Sequence, residues 1–98
     1  FTYVDNVVEA NLRACAMEKT AGQVYNIGCA RAITINQLVQ AINTALGSEL
    51  VPKHVTSRSG DVRVSLADIT AARDTLGYSP TTAFEEGLAR TLDWMKGD

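Results

Sequence analysis

The stretch Gln23-Val24-Tyr25-Asn26-Ile27-Gly28, followed by Thr34-Ile35-Asn36-Gln37-Leu38-Val39, decides how this 98-residue chain is read. The first run is short and apolar and stops at a glycine, as a buried strand does. In the second, Thr34 and Gln37 have the spacing of a capping box, in which each side chain satisfies the other residue's backbone N–H. Beyond it Ile35, Leu38, Val39, Ile42 and Leu46 recur at helical spacing and make one apolar face. Gly47 is the natural stop. A strand leading into an amphipathic helix points to an α/β class.

Working outward, residues 1–4 read as a short strand, with Asp5 as N-cap of a helix over residues 6–19. Val8, Leu12 and Cys15 form its expected buried face, and Ala21-Gly22 ends it. Residues 49–55 read as an edge strand, because Pro52 cannot donate to a ladder. Residues 56–61 are a polar loop, and residues 62–64 a short extended piece. A helix over residues 67–76 would turn Ile69, Ala72 and Leu76 inward and stop at Gly77. After the Tyr78-Ser79-Pro80 turn, Thr82 and Glu85 have the spacing of a second capping box. The last helix, residues 83–96, would bury Phe84, Leu88, Leu92 and Met95, with Trp94 at the edge of that face.

Composition limits the function classes. Hydrophobic residues make up 46% and charged residues 20%, so residues 1–98 are one globular domain near the small end of the usual range. Such a chain buries at most about two thirds of its unfolded surface, and its stability margin is thin. The formal charge of −2 offers no basic face for neutralising phosphates, which argues against nucleic acid as a partner. No apolar run has the length of a membrane span, and no basic-then-apolar leader opens the chain. Two cysteines, with His54 as the one histidine, are too few for a disulfide framework or a zinc site. The expectation is a reduced, cytoplasmic, soluble domain. Because the chain opens on Phe1, inside an apparent strand, it is expected to be a piece of a longer polypeptide.

No complete catalytic set is visible. His54 stands alone beside Pro52 and Lys53, as a surface histidine does. Glu85-Glu86 fall in a first helical turn, where carboxylates favour the helix dipole. Cys29 could be a reactive thiol, but only Arg31 is a nearby cation in sequence, and a buried small residue is the more ordinary reading. The loop Arg58-Ser59-Gly60-Asp61 stands out. Its guanidinium can grip a diphosphate, its glycine lets backbone approach a ligand, and its carboxylate can accept from sugar hydroxyls. By spacing alone, a solvated turn with a surface ion pair is the more ordinary reading.

Read in order, these segments do more. Phe1-Thr2-Tyr3-Val4-Asp5-Asn6-Val7-Val8-Glu9-Ala10, Val24-Tyr25-Asn26-Ile27-Gly28, Arg58-Ser59-Gly60-Asp61-Val62-Arg63, Ala67-Asp68-Ile69, Leu76-Gly77-Tyr78-Ser79-Pro80 and Phe84-Glu85-Glu86-Gly87-Leu88 follow one another with Trp94 behind. The series resembles the C-terminal, substrate-binding part of the NAD-dependent epimerase/dehydratase family, the extended short-chain dehydrogenase/reductases. Residues 60–69 and Asn6 look most like the UDP-N-acetylhexosamine 4-epimerases. The resemblance implies four helices with short strands, comprising the last Rossmann strand and substrate-domain elements. It also implies a UDP-sugar pocket in which Arg58 holds the diphosphate and Asp61 the ribose, with Asn26 ending the last Rossmann strand near the cleft. Gly28 would let the chain turn there, and Asp5 would be mainly a cap. The family's glycine-rich NAD loop and Tyr-x-x-x-Lys are absent, since Val7, Cys29 and Thr82 stand four residues beyond the three tyrosines. The expectation is therefore a chain that binds no cofactor itself, belongs to an NAD-dependent parent isomerase, and is inactive alone. Its strand at residues 23–27 would lack neighbours. The expected partner is a missing N-terminal Rossmann domain or, for a free-standing module, a second copy.

Overall fold

A computed structural model describes residues 1–56, 59–60 and 64–97. Four helices stand in sequence: α1 (Val4–Cys15), α2 (Ile35–Leu46), α3 (Thr70–Leu76) and α4 (Phe84–Met95). A single 3-10 turn, Glu18–Thr20, follows α1. No helix among the described residues is long and apolar enough to cross a membrane.

α2 begins and ends where its local chemistry requires. The Thr34 hydroxyl accepts from the Gln37 N–H at 3.1 Å, and the Gln37 side-chain oxygen accepts from the Thr34 N–H at 2.8 Å. Gly47 closes the helix at φ 67°, a left-handed conformation that costs glycine little. α3 stops the same way at Gly77, φ 64°. α1 departs from expectation at both ends. It starts earlier, with Tyr3 as N-cap and Asp5 inside the first turn, so Asp5 does not cap it. It also stops sooner, because the Thr20 hydroxyl reaches the carbonyls of Ala14 and Met17 at 2.8 Å each and draws the chain out of the helix. α3 is shorter than expected, since Asp68 Oδ1 accepts from both the N–H and the hydroxyl of Thr70 and holds residues 68–70 as a turn. The second capping box does not form. The N-cap of α4 is Ala83, the Thr82 N–H donates to Asn6, and Glu85 faces Arg31.

The expected strands do not appear as hydrogen-bonded strands among the described residues. Residues 1–3 lead directly into α1, and residues 49–55 are irregular; residues 62–63 of the fourth expected strand lie outside the described residues. Residues 23–27 keep the alternation of a strand, with Tyr25 and Ile27 half-buried while Val24 and Asn26 are exposed. A strand needs a ladder partner, and no segment among the described residues supplies one.

The core is small: Ala10, Ile69, Ala72, Leu76 and Tyr78, with Ala14, Tyr25 and Ile27 packed around it. The inward side of α1 is therefore Asn6, Ala10 and Ala14, not Val8, Leu12 and Cys15. Val8 is 48% and Leu12 66% exposed, and Cys15 is exposed. α3 packs against the small side chains, where helices can approach closely. α2 pairs with α4, but its stripe is only partly covered: Leu38, Val39 and Ile42 are half-buried, while Ile35 and Leu46 are exposed. On α4, Phe84, Leu88 and Leu92 are half-buried, whereas Met95 and Trp94 are exposed. The resulting shape is open. The Cα radius of gyration is 16.3 Å, against about 12.6 Å for a compact chain of this length. The surface is 7575 Å², against about 5,400 Å² for a folded monomer of this mass.

Candidate functional site

The chain after Gly28 turns sharply and then runs into α2. Ala30 makes the turn with φ 56°, the one non-glycine residue with positive φ among those described. Arg31 pins the next residues to the start of α4. Its Nη1 lies 2.7 Å and 2.9 Å from the two carboxylate oxygens of Glu85, and its guanidinium lies 6.0 Å from the Phe84 ring. Both members of the pair are about half exposed, so it orients the loop more than it stabilises the fold. The Glu85 carboxyl is held below its ordinary range by its own backbone N–H and by Arg31. Phe1 completes the corner, its ring 5.9 Å from that of Phe84.

A cavity of about 350 Å³ lies between this loop and the segment leading to α3, lined by Phe1, Ala32, Ile33, Thr34, Ile35, Val64 and Ser65. One wall is apolar and aromatic. The other side meets the N-terminus of α2, which has no acidic residue in its first turn. Helix N-termini carry partial positive charge and N–H donors suited to anions.

Two buried hydrogen-bond junctions hold this region. The Tyr78 hydroxyl donates to the Gly28 carbonyl at 2.8 Å, joining the end of α3 to the start of the loop. Tyr78 is fully buried, and burial, followed by the nearby Cys29 and Glu9, pushes its phenol above the ordinary tyrosine range. Gly28 abuts Ala67 so closely that a Cβ there would sit 2.9 Å from the Ala67 Cβ. Gly28 thus serves close approach, and the one positive-φ residue of the loop is Ala30, two residues on. In the second junction Asn6, fully buried in α1, donates to the Thr82 carbonyl at 2.9 Å. Its Oδ1 accepts from the N–H groups of Thr81 and Thr82 at 3.2 Å and 3.1 Å.

Of the site residues expected from sequence, Arg58 and Asp61 lie outside the described residues. Asn26 is exposed on the outward side of residues 23–27, and the cavity lining does not include it. Asp5 lies 3.5 Å from Arg90 Nη1. His54 is exposed, near α2. Cys29 is half-buried, its sulfur 3.9 Å from the Thr82 carbonyl. No cluster of three potential metal ligands occurs among the described residues. Sequence reasoning missed the cavity wall at residues 32–35 and the two junctions. The apolar residues Ala32, Ile33 and Ile35 just before and after the capping threonine were the one available signal for the wall.

Comparison with known proteins places these features. No family model matches the chain. UDP-glucose 4-epimerase of Mycolicibacterium smegmatis is 35% identical over 96 residues, covering 98% of this chain and 30% of that protein. A crystal structure of UDP-glucose 4-epimerase with UDP-glucose from Thermotoga maritima superposes with a TM-score of 0.86. It is 42% identical over 97% of this chain and 30% of its own. MoeE5 in complex with UDP-glucuronic acid and NAD superposes with a TM-score of 0.88 at 31% identity, over 98% of this chain and 32% of its own. The chain spans about three tenths of the length of the curated relatives it matches.

Proposed function

We propose that this chain, which belongs to the NAD-dependent epimerase/dehydratase family of extended short-chain dehydrogenase/reductases, supplies the nucleotide-sugar-binding wall of a UDP-sugar 4-epimerase or dehydratase. Its fold is that of the C-terminal part of such enzymes. The observation that carries the reading is the likeness to the Thermotoga maritima epimerase crystallised with UDP-glucose, at 42% identity across nearly the whole chain. The cavity supports it: an apolar, aromatic wall suits a sugar or base face, and the α2 N-terminus suits a phosphate. On this reading Arg58 grips the diphosphate through paired charge-assisted bonds, and Asp61 accepts from the ribose hydroxyls.

The residues present do not fit NAD. None of the seven glycines falls in a G-x-G-x-x-G pattern, and no lysine stands four residues beyond a tyrosine. No hydride step runs through this chain. On this reading another part of the enzyme supplies the dinucleotide loop and the tyrosine base, and the chain by itself does not turn over sugar. Titration with UDP-N-acetylglucosamine tests the binding. Wild type should saturate, and Arg58→Ala should lose about 1.5–3 kcal/mol, the worth of a hydrogen bond to a charged group. Absence of heat and of chemical-shift change at millimolar ligand would remove the reading.

The open shape favours a second reading. The surface exceeds that of a compact monomer by about 2,000 Å², and Val4, Val8 and Leu12 form an uncovered ridge on α1. Here the chain is a free-standing module that dimerises, or binds a partner or nucleotide sugar without catalysis. Size-exclusion chromatography with light scattering tests the dimer, since a strictly monomeric, well-folded chain at high concentration argues against it.

A further inference from the structure

Besides Phe1, the cavity has two walls from distant parts of the chain, residues 32–35 and residues 64–65. Something must set their spacing. Neither wall belongs to a sheet among the described residues, so no ladder does it. The chain approaches itself behind the cavity at Gly28, which touches Ala67 with no room for a Cβ. The carbonyl of that glycine is bonded by Tyr78, fifty residues away in sequence.

We propose that Tyr78 is a positioning residue for the cavity, its buried hydroxyl holding the Gly28 carbonyl so that residues 28–35 and 64–69 keep one spacing. The proposal rests on reading the cavity as the ligand site. Tyr78 is well placed for the task. Its backbone N–H is bonded to the Ala72 carbonyl at the left-handed stop of α3. Its ring is fully buried in the same core cluster as Ile69, which itself faces Gly28. On the other side Ala30, two residues past Gly28, holds a positive φ, a conformation that persists only where surrounding contacts over-determine it. The hydroxyl, the Gly28–Ala67 contact and the Ala30 turn together form one joint. A tyrosine that only filled the core would do so equally well as phenylalanine, and the cavity would not register the change.

Tyr78→Phe is compared with Asn43→Ala, which removes the bonds to Ser48 and Leu50 near the far end of α2 and leaves the joint intact. Calorimetric titration with UDP-N-acetylglucosamine should show about three- to tenfold weaker binding for Tyr78→Phe, the worth of one such bond, and unchanged binding for Asn43→Ala. Gly28→Ala should weaken binding too, and adding Ala67→Gly should restore it, because the second change makes room for the first. Amide hydrogen exchange on the ligand-free chain provides the independent arm. In Tyr78→Phe, exchange at residues 28–30 and 64–67 should quicken together, whereas Asn43→Ala should leave both alone. Equal affinity in Tyr78→Phe and wild type, or exchange confined to one segment, overturns the proposal. If wild type binds no nucleotide sugar, the function proposed above fails, and the exchange arm still decides whether Tyr78 couples the walls.

Discussion

Replacing Asn6 by alanine should cost this chain a large share of its stability. The side chain is fully buried and makes three hydrogen bonds to one short stretch: out to the Thr82 carbonyl at 2.9 Å, and in from the Thr81 and Thr82 N–H groups at 3.2 Å and 3.1 Å. These bonds tie α1 to the entrance of α4 across some 76 residues of chain. A net bond is worth about 1 kcal/mol, and a buried group left without a partner costs about 1–3 kcal/mol. Because the Thr81 side of the junction can reach water, the expected loss is about 3 kcal/mol. A domain of this size has about 5–15 kcal/mol in all, so the change should be plain in urea unfolding followed by far-ultraviolet circular dichroism. With a slope near 1 kcal/mol per molar, the midpoint should fall by about 3 M. Asn11→Ala is the comparison, the same substitution on the exposed side of the same helix. It should move stability by no more than about 0.5 kcal/mol. An Asn6→Ala midpoint within error of Asn11→Ala would refute the reasoning, because the bonds would then contribute nothing net.

Three further outcomes follow from particular contacts. Ala30→Gly should stabilise by about 1 kcal/mol, since φ 56° penalises a Cβ and not glycine; a thermal melt lower than or equal to wild type would contradict it. Gly87→Ala should destabilise by about 1–3 kcal/mol although alanine is the better helix former. A Cβ there would lie 2.7 Å from the Tyr3 Cβ, and a more stable variant in urea would show that α4 shifts to make room. At alkaline pH, Tyr78 should weaken the fold. Its phenol is raised by burial, then by Cys29 and Glu9, so the folded state holds the proton after the unfolded chain releases it. That contribution is complete below about pH 10, the ordinary tyrosine value, and is lost as pH rises through the folded value. Tyr78→Phe should show a flatter stability profile above about pH 10, and identical slopes would count against the buried phenol.

Much of the helical order was legible because its causes are local. The capping box of α2 and the stops at Gly47 and Gly77 depend on residues within one turn, and each stands where the sequence places it. The failures share a cause. Thr82 and Glu85 have the spacing of a capping box, yet each is engaged by a residue more than fifty positions away, Asn6 and Arg31. Residues 23–27 have the pattern of a strand but no partner among the described residues, because pattern sets which side chains face inward and pairing needs a neighbour. The residues that line the candidate cavity were not singled out as site residues by the sequence. Arg58 and Asp61 lie outside the described residues, and the described cavity is built from side chains with no chemical signature of their own.

The sequence by itself determined that the chain would form four helices, two of them stopped at Gly47 and Gly77, and that its motif order resembles the C-terminal part of epimerase/dehydratases. Periodicity, caps and left-handed glycines act over a few residues and need no fold to be read. Only the tertiary structure decided which face of α1 is inside. By hydrophobicity Val8 and Leu12 should be buried, yet Asn6, Ala10 and Ala14 face the core. Close packing against α3 selects small side chains, and a buried amide with three long-range partners outweighs the cost of its own desolvation. The long-range contacts, Asn6 with Thr82 joining α1 to the entrance of α4 and Tyr78 with Gly28 joining the end of α3 to the loop before α2, are likewise encoded by no local pattern in the chain.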